Sequence, residues 1–336
     1  MVEIARRTNL SPATVSRVLN GKGVGFISAA TRTRVLEVAK DLGYEPNRVA
    51  RGLVTGRTQV VGAWIRNPDR PYYARILRHL LEATTASGYD MIVTPVHDQL
   101  PGSAGAVGGA YIRENGTSSW PTDGVFVADC PAIAECYIQR FAPGVCPLVG
   151  LSSDYSEHAD YVAFDVACGV RQAVEHLVAI GCRRIAHLSS MVGIDRVRAA
   201  RAGTYEETLR TAGLRPEVIL APNETRAASR DTIKAYIQSH GAPDGLFCLN
   251  DDMAIGAYRG IRDLGLRIPE DIALVGCDGV EDGQFLDVPL TTIVQPVQEM
   301  CRLAWEVLSR RMHDPMASLS QTLLKPELRI DASTSR

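Results

Sequence analysis

No stretch of this 336-residue chain approaches eighteen uninterrupted apolar residues, so nothing in it reads as a membrane-spanning helix. The first residues include Glu3, Arg6 and Arg7 where a secretory segment would carry an apolar core, and a cytoplasmic location is expected. The eight cysteines form no C-x-x-C pair, and none stands beside a histidine at zinc-ligand spacing. They read as reduced core thiols, and no metal is expected. A G-x-S-x-G elbow, a G-x-x-x-x-G-K-[ST] phosphate loop and a clustered His/Cys set are also missing, which argues against an enzyme. The glycine run 21–25 lies between two expected helices and not after a strand, so no dinucleotide cofactor is expected there.

What is present is apolar content of 46%, enough for two or three compact units. Charge is unevenly spread: residues 1–58 hold ten basic and four acidic side chains, whereas the whole chain is at -2. A basic head on an acidic body favours a polyanion partner for the head.

The head has the grammar of a helix-turn-helix. A short helix over 3–8 ends at Asn9, a residue able to turn left-handed, and Ser11 and Pro12 then form a start signal for a second helix. Along that helix Val15, Val18 and Leu19 share one face, and Ala13, Ser16, Arg17 and Asn20 share another. Ser28 is a fitting cap for a third helix carrying Val35, Leu36, Ala39 and Leu42, which Gly43 ends. Pro46 opens a further short helical stretch through Leu53.

After Arg57 the pattern changes to alternating strands and helices. Strands are expected at 60–65, 90–94, 124–127, 146–150, 184–188, 245–248 and 272–276, with helices at 73–87, 167–180, 200–212, 227–239 and 252–264. Such βαβ repetition implies parallel sheets covered on both faces, and the length suggests two of them. The stretch 97–122 gives no regular reading.

Taken in order, Thr14-Val-Ser-Arg-Val-Leu-Asn20, Leu42-Gly-Tyr-Glu-Pro-Asn47, Ala50-Arg51, Leu53, Val174-Glu-His-Leu-Val178, Asn250-Asp251, Ile268-Pro-Glu-Asp271, Val275-Gly276 with Asp278, and Leu290-Thr-Thr-Ile293 with Gln295-Pro296 resemble the LacI/GalR family of bacterial transcription regulators over nearly the whole chain. Gly52 stands where that family commonly has a helix-compatible residue, and Asp331 where it often has arginine. The resemblance implies a small all-α helix-turn-helix head (1–45), a hinge helix and linker (46–57), and a two-lobed α/β periplasmic-binding-protein-like core (58–336) with doubly wound parallel sheets. Its lobes are expected at about 58–160 plus 293–320 and about 161–292 plus 321–336.

In helix-turn-helix proteins the second helix enters the major groove. Pro12 and Ala13 would then offer shape or an apolar contact, and Arg17 a fork for guanine. Thr14, Ser16 and Asn20 suit phosphate oxygens or plain solvation. The resemblance implies that Asn47, Arg51 and Leu53 also meet DNA, with Leu53 wedged into the minor groove; without it, Leu53 is the apolar face of a short helix. A homodimer on a near-palindromic operator follows.

For the body the resemblance implies an effector site at Tyr72, Tyr73, Asp165, Arg201, Asn250 and Asp278, chemistry suited to a sugar or related polyol. Asp165 reads equally as a helix cap, Arg201 as part of a solvated arginine-rich run at 196–201, and the two tyrosines as packing between lobes. The function implied is a ligand-responsive repressor of carbohydrate or catabolic genes. A corepressor-dependent regulator and a transporter's solute-binding protein are the alternatives.

Overall fold

The computed structural model describes residues 1–19, 26–44, 52, 56–96, 122–130, 134, 137–138, 146–151, 158–191 and 196–336. The chain divides into two units, Met1–Gln59 and Val60–Arg336. Asn20, Asn47, Arg51 and Leu53, together with the glycine-rich loop 21–25 and residues 97–121, lie outside the described residues.

In the first unit, α1 (Val2–Thr8), α2 (Pro12–Leu19) and α3 (Ala29–Asp41) enclose one small core. Asn9 closes α1 at φ 54° and ψ 42°, a left-handed conformation that asparagine tolerates. Ser11 Oγ accepts from the Thr14 amide at 3.1 Å, and Ser28 Oγ from the Thr31 amide at 3.2 Å, so both expected caps form. Ile4, Ala5, Val15, Val18, Val35 and Ala39 are the buried centre. Leu36, expected on the packing face, is 49% exposed; Val35, Ala39 and the partly buried Leu42 form the inward stripe.

The second unit alternates strands and helices: β1 (Val60–Arg66), α4 (Pro71–Ala86), β2 (Asp90–Val96), β3 (Gly124–Ala128), β4 (Leu148–Leu151), β5 (Asp160–Phe164), α5 (Val166–Ala179), β6 (Ile185–Ser190), α6 (Arg196–Thr211), β7 (Glu217–Ala221), α7 (Arg226–His240), β8 (Gly245–Cys248), α8 (Asp251–Asp263), β9 (Ala273–Asp278), β10 (Thr291–Val294), α9 (Val297–His313), β11 (Gln321–Leu324) and β12 (Glu327–Arg329). Among the described residues these build two six-stranded sheets, ordered β11-β5-β4-β3-β1-β2 and β12-β10-β9-β8-β6-β7. Every pairing is parallel except β10 with β12. Central strands such as β1, β3, β8 and β9 are buried almost throughout, because helices cover both faces of each sheet.

Five strands, β5, β7, β10, β11 and β12, and the helix α9 were not singled out by pattern. The reasons are local. β7 is an edge strand opening on Glu217 with alternate residues outside the core, and β11 and β12 are four and three residues long and largely uncovered. β5 opens on Asp160, a buried carboxylate held by Arg311 at 2.8 and 3.0 Å.

These strands also correct where the chain changes lobe. It leaves the first sheet after Phe164, returns after Val294 and leaves again after Leu324, each a few residues later than expected. Each crossing waits until β5, β10 or β11 has completed its sheet, so residues 321–324 belong to the first lobe, not the second.

Candidate functional site

Open parallel sheets leave their catalytic or binding crevice beyond the carboxyl ends of the strands. Here that edge is lined from the first lobe by Arg66, Arg70, Tyr72, Tyr73 and Asp129, and from the second by Arg201, Glu224, Leu249, Asn250, Asp252 and Asp278. The accessible space they leave between them is about 50 Å³. Arg66 and Asp278 end their strands β1 and β9, Asp129 follows β3 directly, and Asn250 follows β8 by two residues. Pro71 at the start of α4 sets Tyr72 and Tyr73 in the first turn, ring against ring at 5.1 Å.

Several of the polar side chains are held. Tyr73 donates its hydroxyl to Asp129 Oδ2 at 2.9 Å, and Gln295 Nε2 donates to Asp278 Oδ1 at 2.7 Å. Asn250 accepts from the Met253 amide at 2.8 Å with Oδ1, capping α8, while its Nδ2 faces Glu224 Oε2 at 3.4 Å. Arg75 crosses between lobes to donate to the carbonyls of Asp278 and Gly279, both at 2.6 Å.

Asp278 carries the strongest local signature. Its backbone sits at φ 132°, a conformation that costs a non-glycine residue about 1–3 kcal/mol and persists where surroundings enforce it. Burial, reinforced by Asp251, pushes its carboxyl well above the usual range. Burial and then Asp129 likewise push both tyrosine hydroxyls well above theirs. Burial opposes the charge on Arg201, but Cys277, Asp278 and Asp129 outweigh it and keep the guanidinium cationic; its buried Nε has no hydrogen-bond partner among the described residues.

Behind the cleft, Asp251 ties three elements together, accepting from Thr292 Oγ1 at 2.6 Å and from the Val280 amide at 2.8 Å. Burial raises its carboxyl to about 6. Gly276 passes so close that a Cβ there would collide with the Asp251 carboxylate.

Five of the six residues expected at the effector site, Tyr72, Tyr73, Arg201, Asn250 and Asp278, line this one cleft. Asp165 does not. It caps α5, its Oδ1 accepting from the Cys168 amide at 2.9 Å, at the crossing between lobes, so of the two readings left open the cap is the one formed. Arg66, Arg70, Asp129, Glu224 and Asp252 were missed. Asp129 follows a fully buried apolar strand just as Asn250 and Asp278 follow or end theirs, and that signal was available; Glu224 sits in a loop with no pattern to flag it. In the head, Pro12, Ala13 and Arg17 are exposed on one side of α2, with Thr14 and Ser16 half-buried and Val15 and Val18 turned into the core.

This architecture has relatives. Residues 1–47 match the bacterial regulatory proteins of the lacI family, and residues 174–334 match the periplasmic binding protein-like domain. The chain is 28% identical over 310 residues to the ribose operon repressor of Halalkalibacterium halodurans, covering 92% of this chain and 89% of that one. It is 27% identical over 338 residues to the ribose operon repressor of Haemophilus influenzae, covering 97% and 96%. The crystal structure of the lac repressor dimer bound to operator and the anti-inducer ONPF superposes with a TM-score of 0.82 at 24% identity, over 98% of this chain and 97% of that one. The head thus matches the lacI family of bacterial regulatory proteins and residues 174–334 the periplasmic binding protein-like domain, on a fold with a helix-turn-helix head and a two-lobed α/β body.

Proposed function

We propose that the protein is a repressor that binds a near-palindromic operator as a homodimer and is released by a small hydroxylated molecule held in the cleft of the body. The carrying observation is the convergence of Tyr72, Tyr73, Arg201, Asn250 and Asp278, from both lobes, on one crevice at the carboxyl ends of the strands. Two relatives are named as ribose operon repressors, which supports a carbohydrate-linked role. Arg17 reads bases, while Pro12 and Ala13 supply close fit; Thr14, Ser16, Asn20, Asn47 and Arg51 hold phosphates, and Leu53 wedges the minor groove. Ligand in the cleft changes the lobe-lobe angle, and the dimer carries that change to the two heads. The role is binding without turnover, performed in the cytoplasm beside the chromosome. A head that matches the lacI family leaves the solute-binding alternative without support.

The test is a gel shift on the protein's own upstream DNA with sugars and catabolites added singly. Loss of the shifted band supports the inducer sense, a gain reveals a corepressor, and indifference across the full panel contradicts the reading.

A further inference from the structure

Three guanidinium groups converge on the cleft, more cationic chemistry than a neutral polyol requires. Arg66 ends β1 and Arg70 precedes α4 on the first lobe; Arg201 enters from α6 on the second. Glu224, from the loop after β7, reaches across the cleft to both first-lobe arginines. Its Oε2 lies 2.6 Å from Arg70 Nη1 and its Oε1 3.6 Å from Arg66 Nη2, and the Glu224 and Arg66 side chains are each 9% exposed. A buried pair of this kind, joining two lobes that must move, calls for an explanation beyond stability.

The other carboxylates of the cleft are committed elsewhere. Asp252 accepts from Arg226 Nε at 2.7 Å, and Arg226 also holds Asp282 at 3.0 Å. Asp278 accepts from Gln295 Nε2 at 2.7 Å, and burial pushes its carboxyl upward. Of the carboxylates on the cleft, Glu224 reaches the first-lobe guanidiniums, while Asp129 is occupied by the Tyr73 hydroxyl. Arg201 makes no ion pair among the described residues, and its buried Nε is unpartnered.

We propose that the effector is a hydroxylated molecule bearing an anionic group, a carboxylate or a phosphate, and that Glu224 holds Arg66 and Arg70 in the place that group takes. Guanidinium forks pair with both kinds of oxyanion in the same planar geometry. An incoming anion displaces Glu224 and so breaks an inter-lobe contact directly, whereas a neutral sugar has no claim on it. Asn250, Tyr72 and Asp129 remain to meet hydroxyls. This rests on the effector reading above and narrows it.

The experiment is thermal unfolding of the full chain at constant ionic strength, with matched ligands: glucose, gluconate and glucose 6-phosphate; ribose, ribonate and ribose 5-phosphate; and sodium phosphate as the minimal anion. Wild type, Glu224→Gln and the charge-balanced double variant Arg70→Gln/Glu224→Gln are compared, each with operator binding as a second readout. Removing the competing carboxylate should tighten binding of anionic members by about tenfold in Glu224→Gln, and the double variant should reverse the gain, since charge-assisted pairs dominate such sites. Neutral parents should change less than about twofold, because they use no part of the ion pair. The acid and phosphate arms tell the two sources apart. Neutral sugars binding as tightly as their acids, or no anion stabilising either wild type or Glu224→Gln beyond a sodium chloride control, overturns the proposal. Release of operator by a neutral sugar in that case leaves the effector reading intact. Tight anion binding to the cleft with operator occupancy unmoved keeps the anion site and overturns the effector reading instead.

Discussion

Gln295 Nε2 donates to Asp278 Oδ1 at 2.7 Å, linking the residue that starts the return crossing to the first lobe with the strained carboxyl at the floor of the cleft. Asp278 therefore both lines the cleft and is tied to the segment that crosses between the lobes. Asp278→Ala should leave operator affinity within about threefold of wild type while shifting the effector midpoint by tenfold or more, as expected when one buried hydrogen-bonding partner of about 1–3 kcal/mol is removed. Fluorescence anisotropy of an operator duplex, with and without effector, measures both quantities.

Asp165 supplies the contrast. As a helix cap outside the cleft, Asp165→Ala should cost about 1 kcal/mol of stability and leave the effector midpoint where it was. Paired urea unfolding and anisotropy curves separate the two residues; a midpoint that moves with Asp165 would return it to the site.

Packing in the second lobe leaves no room at the crossing of α7 and α8. A Cβ on Gly256 would collide with the Arg226 carbonyl, and one on Gly260 would lie 2.7 Å from the Arg230 carbonyl. Backbone cannot swing aside as a side chain can, so Gly260→Ala should destabilise the body by about 1–3 kcal/mol, visible as a lower Tm. An unchanged Tm would mean that the two helices separate at little cost.

His187 is buried on β6, its Nδ1–H donating to the Phe247 carbonyl at 3.1 Å and its ring stacked on Phe247 at 4.9 Å. Burial lowers its pKa to about 4. The unfolded chain, titrating near 6.5, binds this proton more readily than the folded one, so His187 costs stability as pH falls from about 6.5 towards 4. Asp251, raised to about 6, acts oppositely, favouring the folded state at the acid end of the same window. The stability of wild type minus that of His187→Gln isolates the histidine: this difference should fall on acidification across that window, and a flat difference would mean the ring is already solvated.

Much of this was legible in the sequence. The caps at Ser11 and Ser28, the left-handed Asn9 and Gly43, and the burial of Val15 and Val18 all follow from short-range chemistry, which acts within one helical turn. Long central strands announce themselves by apolar runs, whereas β7, β11 and β12 owe their existence to a neighbour supplying half their hydrogen bonds, which no local pattern encodes. The site divides in the same way. Asn250 and Asp278 are polar residues at the ends of apolar strands and stand out; Arg201 emerged only through family resemblance. Arg70 and Glu224 are 154 positions apart, and their pairing depends on the two lobes facing each other. Asp331, where the family often has arginine, takes Arg329 Nε on its Oδ2 at 2.8 Å and lends its carbonyl to Thr291, so the carboxylate serves the last turn of the chain.

Arg17 is the sharpest test of the head. It is exposed on α2 with Pro12 and Ala13 beside it, neither able to donate from its side chain, so Arg17→Ala should cost about 1–3 kcal/mol on the cognate operator and relax preference at a single base pair in each half-site. Uniform weakening on all sequences would make it a phosphate contact.

The central claim is that ligand in the cleft governs operator occupancy. The most direct measurement is anisotropy of the upstream operator with wild type and Asp278→Ala, titrated with each sugar, sugar acid and sugar phosphate in turn. The account predicts at least one compound that shifts the wild-type binding curve tenfold or more and leaves the Asp278→Ala curve in place. A compound that shifts both curves equally, or a panel that shifts neither, would contradict it.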